Sequence, residues 1–179
     1  CALALNTTVE RVSTLPQVPA AVARYLRALG LSAQVADKCQ QGQAGSTQGA
    51  AGAVWPLLMH LDWAGAGITL RAGAANDTDA IGVTGVFAAI AETGTLMMAS
   101  GPESPATASL LPETHIAIVP AHRIVAHMED AFALVRAELG ELPRAINFIS
   151  GPSRTGDIEQ TIVLGAHGPY RVHVIVLEQ

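Results

Sequence analysis

The sequence predicts an α/β domain: a mainly parallel sheet with helices on both faces. Three observations predict it. Short apolar runs of strand length alternate with stretches of helical periodicity. The runs are apolar throughout, as expected of a sheet covered on both sides. Half of the 179 residues are hydrophobic and only 14% are charged, which suffices for one sizeable core. Aromatics make up 4%, so Ala, Val, Leu and Ile must fill that core. No repeat and no shift in composition divides the chain, so residues 1–179 are read as a single domain.

Taken in order, Thr7 to Val12 is a strand candidate. Pro16 and Pro19 open a helix in which Val18, Ala21, Val22, Tyr25, Leu26 and Leu29 form one apolar stripe, and Gly30 closes it. Leu31 to Ala36 reads as a strand. Gln40 to Gly52, rich in Gln, Gly, Ser and Ala, reads as a flexible surface loop, more simply a tolerated insertion than a lid. A helix is expected over Trp55 to Ala64, started by Pro56, then a strand over Gly67 to Arg71. Asn76 to Asp79 is turn chemistry.

Ala80 to Val83 is a short buried strand, Phe87 to Ala91 a helical turn, Thr95 to Ser100 a strand and Ser104 to Leu111 a short helix. His115 to Val119 reads as a strand buried on both faces. The clearest helix carries Val125, Met128, Phe132, Val135 and Leu139 on one stripe, with Gly140 ending it. Strands over Ala145 to Ile149 and Arg171 to Leu177 complete the pattern.

Composition excludes several classes. The net charge is -5 and the ten Lys and Arg are scattered, so nucleic acid is not an expected partner. The least charged stretch, 80–102, contains Glu92 and four glycines, so no membrane span is expected and a cytoplasmic location is the default. Cys1 and Cys39 are the only cysteines, too few for a four-thiolate cluster. None of the six histidines shows metal-ligand spacing, so neither metal nor cofactor is expected. GxGxxG after a strand, GxxxxGK[ST] and GxSxG are all missing. The chain opens on Cys1 without an initiating Met, and is expected to begin inside a longer natural sequence.

In open parallel sheets, ligands sit at the carboxyl ends of strands. Two loops are expected there. Gly82, Thr84 and Gly85 form one. Ser150 to Gly156 forms the other, with Ser153, Arg154 and Thr155 as candidate anion binders, because a guanidinium fork suits carboxylate or phosphate. In this loop Asp157 is a cap candidate, with Gln160 as its reciprocal partner. A plain turn in which Arg154 pairs with Glu159 is equally compatible. Glu92, followed by Thr93, Gly94 and Thr95, is an isolated acid in apolar surroundings. It reads either as a nucleophile or base with a raised pKa, or as a buried partner for Arg154 or Arg123. His167, in a Gly-rich loop before the last strand, is the one histidine retained as a site candidate.

Three stretches together, "GVTGVFAAIAETGTL" (82–96), "SLLPETHIAIVPAHRIV" (109–125) and "ISGPSRTGDIEQTIVLGAHGPYRVHVIVLE" (149–178), resemble the LUD-domain family in its lactate-utilisation branch. The likeness runs from about Gly67 to the end. One departure is Gly156, where the family commonly has Ala. The resemblance implies a NagB/RpiA/CoA-transferase-like fold. It also implies a non-redox accessory role in a bacterial system that oxidises L-lactate to pyruvate, beside partner proteins that carry the iron–sulfur clusters. A small carboxylate or phosphate is the ligand class expected, and self-association is compatible with it. The alternative is a stand-alone CoA-transferase-like or sugar-phosphate-isomerase-like enzyme using Glu92.

Overall fold

A computed structural model describes residues 2–31, 52–156, 162–165 and 167–179. Its centre is a six-stranded sheet in the order β1-β12-β7-β4-β2-β3, with every neighbouring pair parallel. The strands are β1 (Thr8–Val12), β2 (Gly52–Val54), β3 (Leu70–Ala72), β4 (Ile81–Thr84), β7 (Thr114–Pro120) and β12 (Arg171–Leu177). Ile116, Ala117, Ile118 and Val119 are all buried, as a strand covered on both sides requires.

A second, mixed sheet runs β8-β5-β6-β9, built from β5 (Ala88–Ile90), β6 (Thr95–Ala99), β8 (Ile124–Val125) and β9 (Ile146–Ile149). β10 (Arg154–Gly156) and β11 (Ile162–Leu164) pair as a separate antiparallel ladder.

The register fixes the layers. His173 lies beside Ile116, and its ring stacks on Tyr25 of helix α1 (Val18–Ala28) at 3.9 Å between centroids. That face of the six-stranded sheet therefore carries α1. Gly82 lies beside His115, on the opposite face, where the short helix α2 (Thr107–Leu110) packs. The four-stranded sheet shares this second face. Its side chains alternate: Leu96 and Met98 join the main core, whereas Met97 packs with Ala88, Ile90, Ala131 and Val135 beneath helix α3 (Met128–Leu139).

Three expected elements differ. Over Trp55 to Ala64 the chain makes a 3-10 turn, Pro56–Leu58, and further turns in place of a helix. Pro56 does start helical geometry, but the Trp63 indole N–H donates to the Leu58 carbonyl at 2.9 Å and folds the segment back. Phe87 to Ala91 is not a helical turn, because Ala88–Ile90 pairs with both β6 and β8. The strand at Ala145 to Ile149 is not in the parallel sheet. It is an antiparallel edge strand beside β6, and Phe148 stays 42% exposed. The expected strand over Leu31 to Ala36 and the loop from Gln40 lie outside the described residues apart from their ends, Leu31 and Gly52. Gly52 opens β2.

Candidate functional site

β5 and β6 form a hairpin whose turn holds Glu92, Thr93 and Gly94. Gly94 has φ 70°, and its N–H donates to the Ile90 carbonyl at 2.9 Å, which closes the turn. β9 runs antiparallel to β6 with Ile149 opposite Leu96, which brings the next residue, Ser150, alongside Thr95. The result is a chain of hydroxyls. Thr93 Oγ1 donates to Thr95 Oγ1 at 2.8 Å, and Thr95 Oγ1 lies 2.7 Å from Ser150 Oγ. Thr95 is buried, and its two partners reach the surface. Two candidate stretches that are 55 residues apart thus share one network.

The loop after Ser150 is held to the Gly-rich loop before β12. The Ser153 N–H donates to the Pro169 carbonyl at 2.9 Å, and the Gly165 N–H donates to the Ser153 carbonyl at 3.0 Å. A Cβ on Gly168 would sit 3.3 Å from Ser153 Cβ, so glycine permits this approach. Arg154 and His167 are exposed, and the backbone of Thr155 pairs with Val163 in the β10–β11 ladder. Asp157, Glu159 and Gln160 lie outside the described residues, so the expected cap and the Arg154 pairing do too.

Glu92 differs from expectation. It is not a buried acid: its side chain is 60% exposed, because the turn carries it away from the strands whose apolar residues surround it in sequence. Its Oε2 lies 3.1 Å from Nδ1 of His127, the residue preceding α3. The hydrogen bond to Glu92, and then its charge, raise the His127 pKa, with Asp130 and Glu129 adding to the rise. Arg123 Nη1 donates to both carboxylate oxygens of Glu138 at 2.8 Å. His127 was absent from the expected site, and Ser150 stood in it only as the first residue of the 150–156 loop, not as a named ligand contact. Each stands just beyond a regular element, where apolar periodicity carries no signal.

Gly82, Thr84 and Gly85 were expected in a ligand loop. Gly82 and Thr84 are instead strand residues of β4, and both are buried. A Cβ on Gly82 would come within 1.8 Å of the Ala108 carbonyl oxygen, so this glycine lets α2 lie directly on the sheet. Thr84 Oγ1 lies 2.8 Å from His115 Nε2. His115 is fully buried, and burial lowers its pKa to about 4. Gly85 follows the strand, and a Cβ there would lie 3.4 Å from the Trp55 ring.

Between the two sheets lies an apolar cavity of about 160 Å³. Ala89 and Leu96 line it from one sheet, and Val119, Val174 and Val176 from the other. Ala91 and Gly94, which flank Glu92 and Thr93 in the turn, also line it.

The hydroxyl chain sets one expectation. Thr95→Val keeps the shape but removes both hydroxyl contacts, and should lower stability by about 1 kcal/mol. The urea midpoint of the purified domain measures this. An unchanged midpoint would show that the network adds nothing to folding.

The fold and site together define a four-layer α/β/β/α domain with a hydroxyl-lined junction between β6 and β9 at one end of its four-stranded sheet. The chain belongs to the LUD-domain family: the LUD domain matches residues 64–177, which include the junction. The chain is 41% identical over 101 residues to "Lactate utilization protein C" of Bacillus licheniformis, covering 55% of this chain and 42% of that one. It is 44% identical over 101 residues to the protein of the same name from Halalkalibacterium halodurans, covering 55% and 44%. The matched region spans under half the length of these curated relatives. A crystal structure of a DUF162 family protein from Deinococcus radiodurans has the same fold, with a TM-score of 0.61 at 24% identity, covering 98% of this chain and 91% of that one.

Proposed function

We propose that this chain serves bacterial L-lactate oxidation as a component with no redox centre of its own. The observation that carries this reading is its identity of about 40% to proteins named "Lactate utilization protein C". The two cysteines of the chain agree with it, since an iron–sulfur cluster commonly takes four thiolates. Its partners in this reading are the iron–sulfur proteins of the same system. Thr93 and Ser150, linked through the buried Thr95, together with Ser153, Arg154 and His167 on the adjoining loops, form the surface offered to a small carboxylate or phosphate. Hydroxyls and backbone amides at a glycine-rich turn donate to such oxygens, and Arg154 supplies the charge.

Deleting the gene should abolish growth on L-lactate and leave growth on pyruvate normal. Normal growth of the deletion strain on lactate would sink the proposal. The exposed Glu92–His127 pair favours a second reading, an enzyme in which Glu92 is the base. Complementation separates the two. A Glu92→Gln gene should restore growth under the accessory reading. Failure to restore it at a normal protein level would favour catalysis.

A further inference from the structure

The four-stranded sheet ends at β9, whose outer edge has no strand beside it among the described residues. The Ala145 carbonyl accepts the Ser100 N–H at 3.0 Å, and the Ala145 N–H donates to Ser100 Oγ at 2.9 Å, so both backbone groups of Ala145 face β6. Alternation along the strand then turns the backbone groups of Asn147 and Ile149 towards β6, and those of Ile146 and Phe148 outwards. Sheet edges are commonly guarded by charge, proline or shortness. β1 carries Glu10 and Arg11, β3 carries Arg71, and β8 is two residues long. The run from Ala145 to Ser150 holds neither charge nor proline, and Phe148 is 42% exposed.

This edge is complementary to itself. A two-fold axis normal to the sheet pairs β9 antiparallel with its copy and keeps every side chain on its own face. Centred on Asn147, the axis sets Ile146 opposite the partner's Phe148, apolar against apolar, with outward backbone groups facing each other. The two Asn147 amides meet on the other face. Centred on Phe148, the axis would set Ile146 against Ser150 and Asn147 against Ile149, apolar against polar in both pairs. The register on Asn147 also brings Arg144, which precedes Ala145, opposite the partner's Ser150. Arg144 is exposed and forms no ion pair among the described residues. Ser150 ends the hydroxyl chain that runs through Thr95.

We propose that two copies of this chain join through their β9 edges, centred on Asn147, and that each copy supplies Arg144 to the hydroxyl junction of the other. The dimer does not depend on the lactate role, whereas the part given to Arg144 rests on the anion-accepting surface proposed above. Sedimentation equilibrium over a dilution series should show a monomer–dimer equilibrium. Phe148→Lys should weaken the dimer at least tenfold. Asn147→Lys, which sets like charges directly opposite, serves as the second variant if Phe148→Lys does not fold. Disulfides locate the register in a chain carrying Cys1→Ser and Cys39→Ser. Oxidation should link two copies of Asn147→Cys, which are direct neighbours, and not two copies of Phe148→Cys, which stand about 7–8 Å apart on the diagonal. A mixture of Arg144→Cys and Ser150→Cys should give the mixed disulfide. Inorganic phosphate should bind Arg144→Gln at least threefold more weakly than wild type, with the dimer intact. A monomer at every concentration up to about 1 mM, or an unweakened dimer in a folded edge variant, would overturn the dimer. Linkage through Phe148→Cys in place of Asn147→Cys would overturn the register. Equal phosphate affinity in Arg144→Gln and wild type would overturn the role of Arg144. Phosphate binding by neither, with the dimer and its disulfides present, would overturn the anion-accepting surface and leave the dimer standing.

Discussion

Replacing Gly82 by alanine lowers the stability of the domain by about 3 kcal/mol, at the upper end of ordinary overpacking. The added methyl would lie 1.8 Å from the Ala108 carbonyl oxygen, far inside van der Waals contact. No side-chain rotation relieves the clash, because the obstacle is backbone. Either α2 must lift from β4 or the strand must bend, and both loosen a core that includes the fully buried Ala108 and Val83. Gly85→Ala is the control. Its new methyl would meet the Trp55 ring at 3.4 Å, an ordinary contact, so the change should stay within about 1 kcal/mol. Urea unfolding of both variants measures the difference. Equal midpoints would show that close packing is not the reason for Gly82, and would return it to the ligand-loop reading.

Acid should destabilise the protein between about pH 6.5 and pH 4. His115 is held neutral by burial, with a pKa of about 4 against an ordinary 6.5. As pH falls through that window the unfolded chain takes up a proton that the folded chain refuses, so stability falls with pH. Below the folded value both states are protonated and the loss levels off. For His115 the loss amounts to about 3 kcal/mol. His173 acts in the same direction, because burial lowers its pKa to about 4 despite the charge of Glu10. Its ring is enclosed by Tyr25 and by Thr8, whose Oγ1 lies 2.8 Å from Nδ1. Urea midpoints at about pH 7 and about pH 4.5 read the effect. His115→Gln should be less stable than wild type at neutral pH, yet lose less on acidification. A slope equal to that of wild type would acquit His115.

Much of the fold was legible because burial writes itself as pattern. α1 follows its stripe of Val18, Ala21, Val22 and Leu26, all buried, and Gly30 beyond its end takes φ 69°. β7 and β12 are apolar runs and lie side by side at the sheet's centre. Three-residue elements carry no such record. Ala88–Ile90 is too short to show a period, and only its pairing with β6 and β8 makes it a strand. The partner sheet of β9 was illegible for a related reason: an apolar run reports burial, not which strand lies beside it.

The site was legible in composition and not in arrangement. Thr93, Thr95 and the start of the 150–156 loop do meet, but through antiparallel pairing of β6 with β9, not along one edge of a parallel sheet. Glu92 has apolar neighbours in sequence, and a turn takes it out from among them. The histidines of β7 and β12 carried no spacing signal in the sequence; in the fold both are buried, and each makes one ring hydrogen bond, His115 with Thr84 and His173 with Thr8.

The pairing of β1 with β12 has a consequence for synthesis. Thr8 lies opposite His173, so the first strand has its sheet neighbour 165 residues downstream. While the ribosome is still translating the middle of the chain, β1 has no native edge to join and α1 has no Tyr25–His173 stack to settle on. β7 likewise lacks its neighbour on that side until β12 emerges. The central sheet therefore closes only after translation has passed Leu177. Until then the nascent chain carries unpaired apolar strands, which makes it a natural client for chaperones that shield such edges.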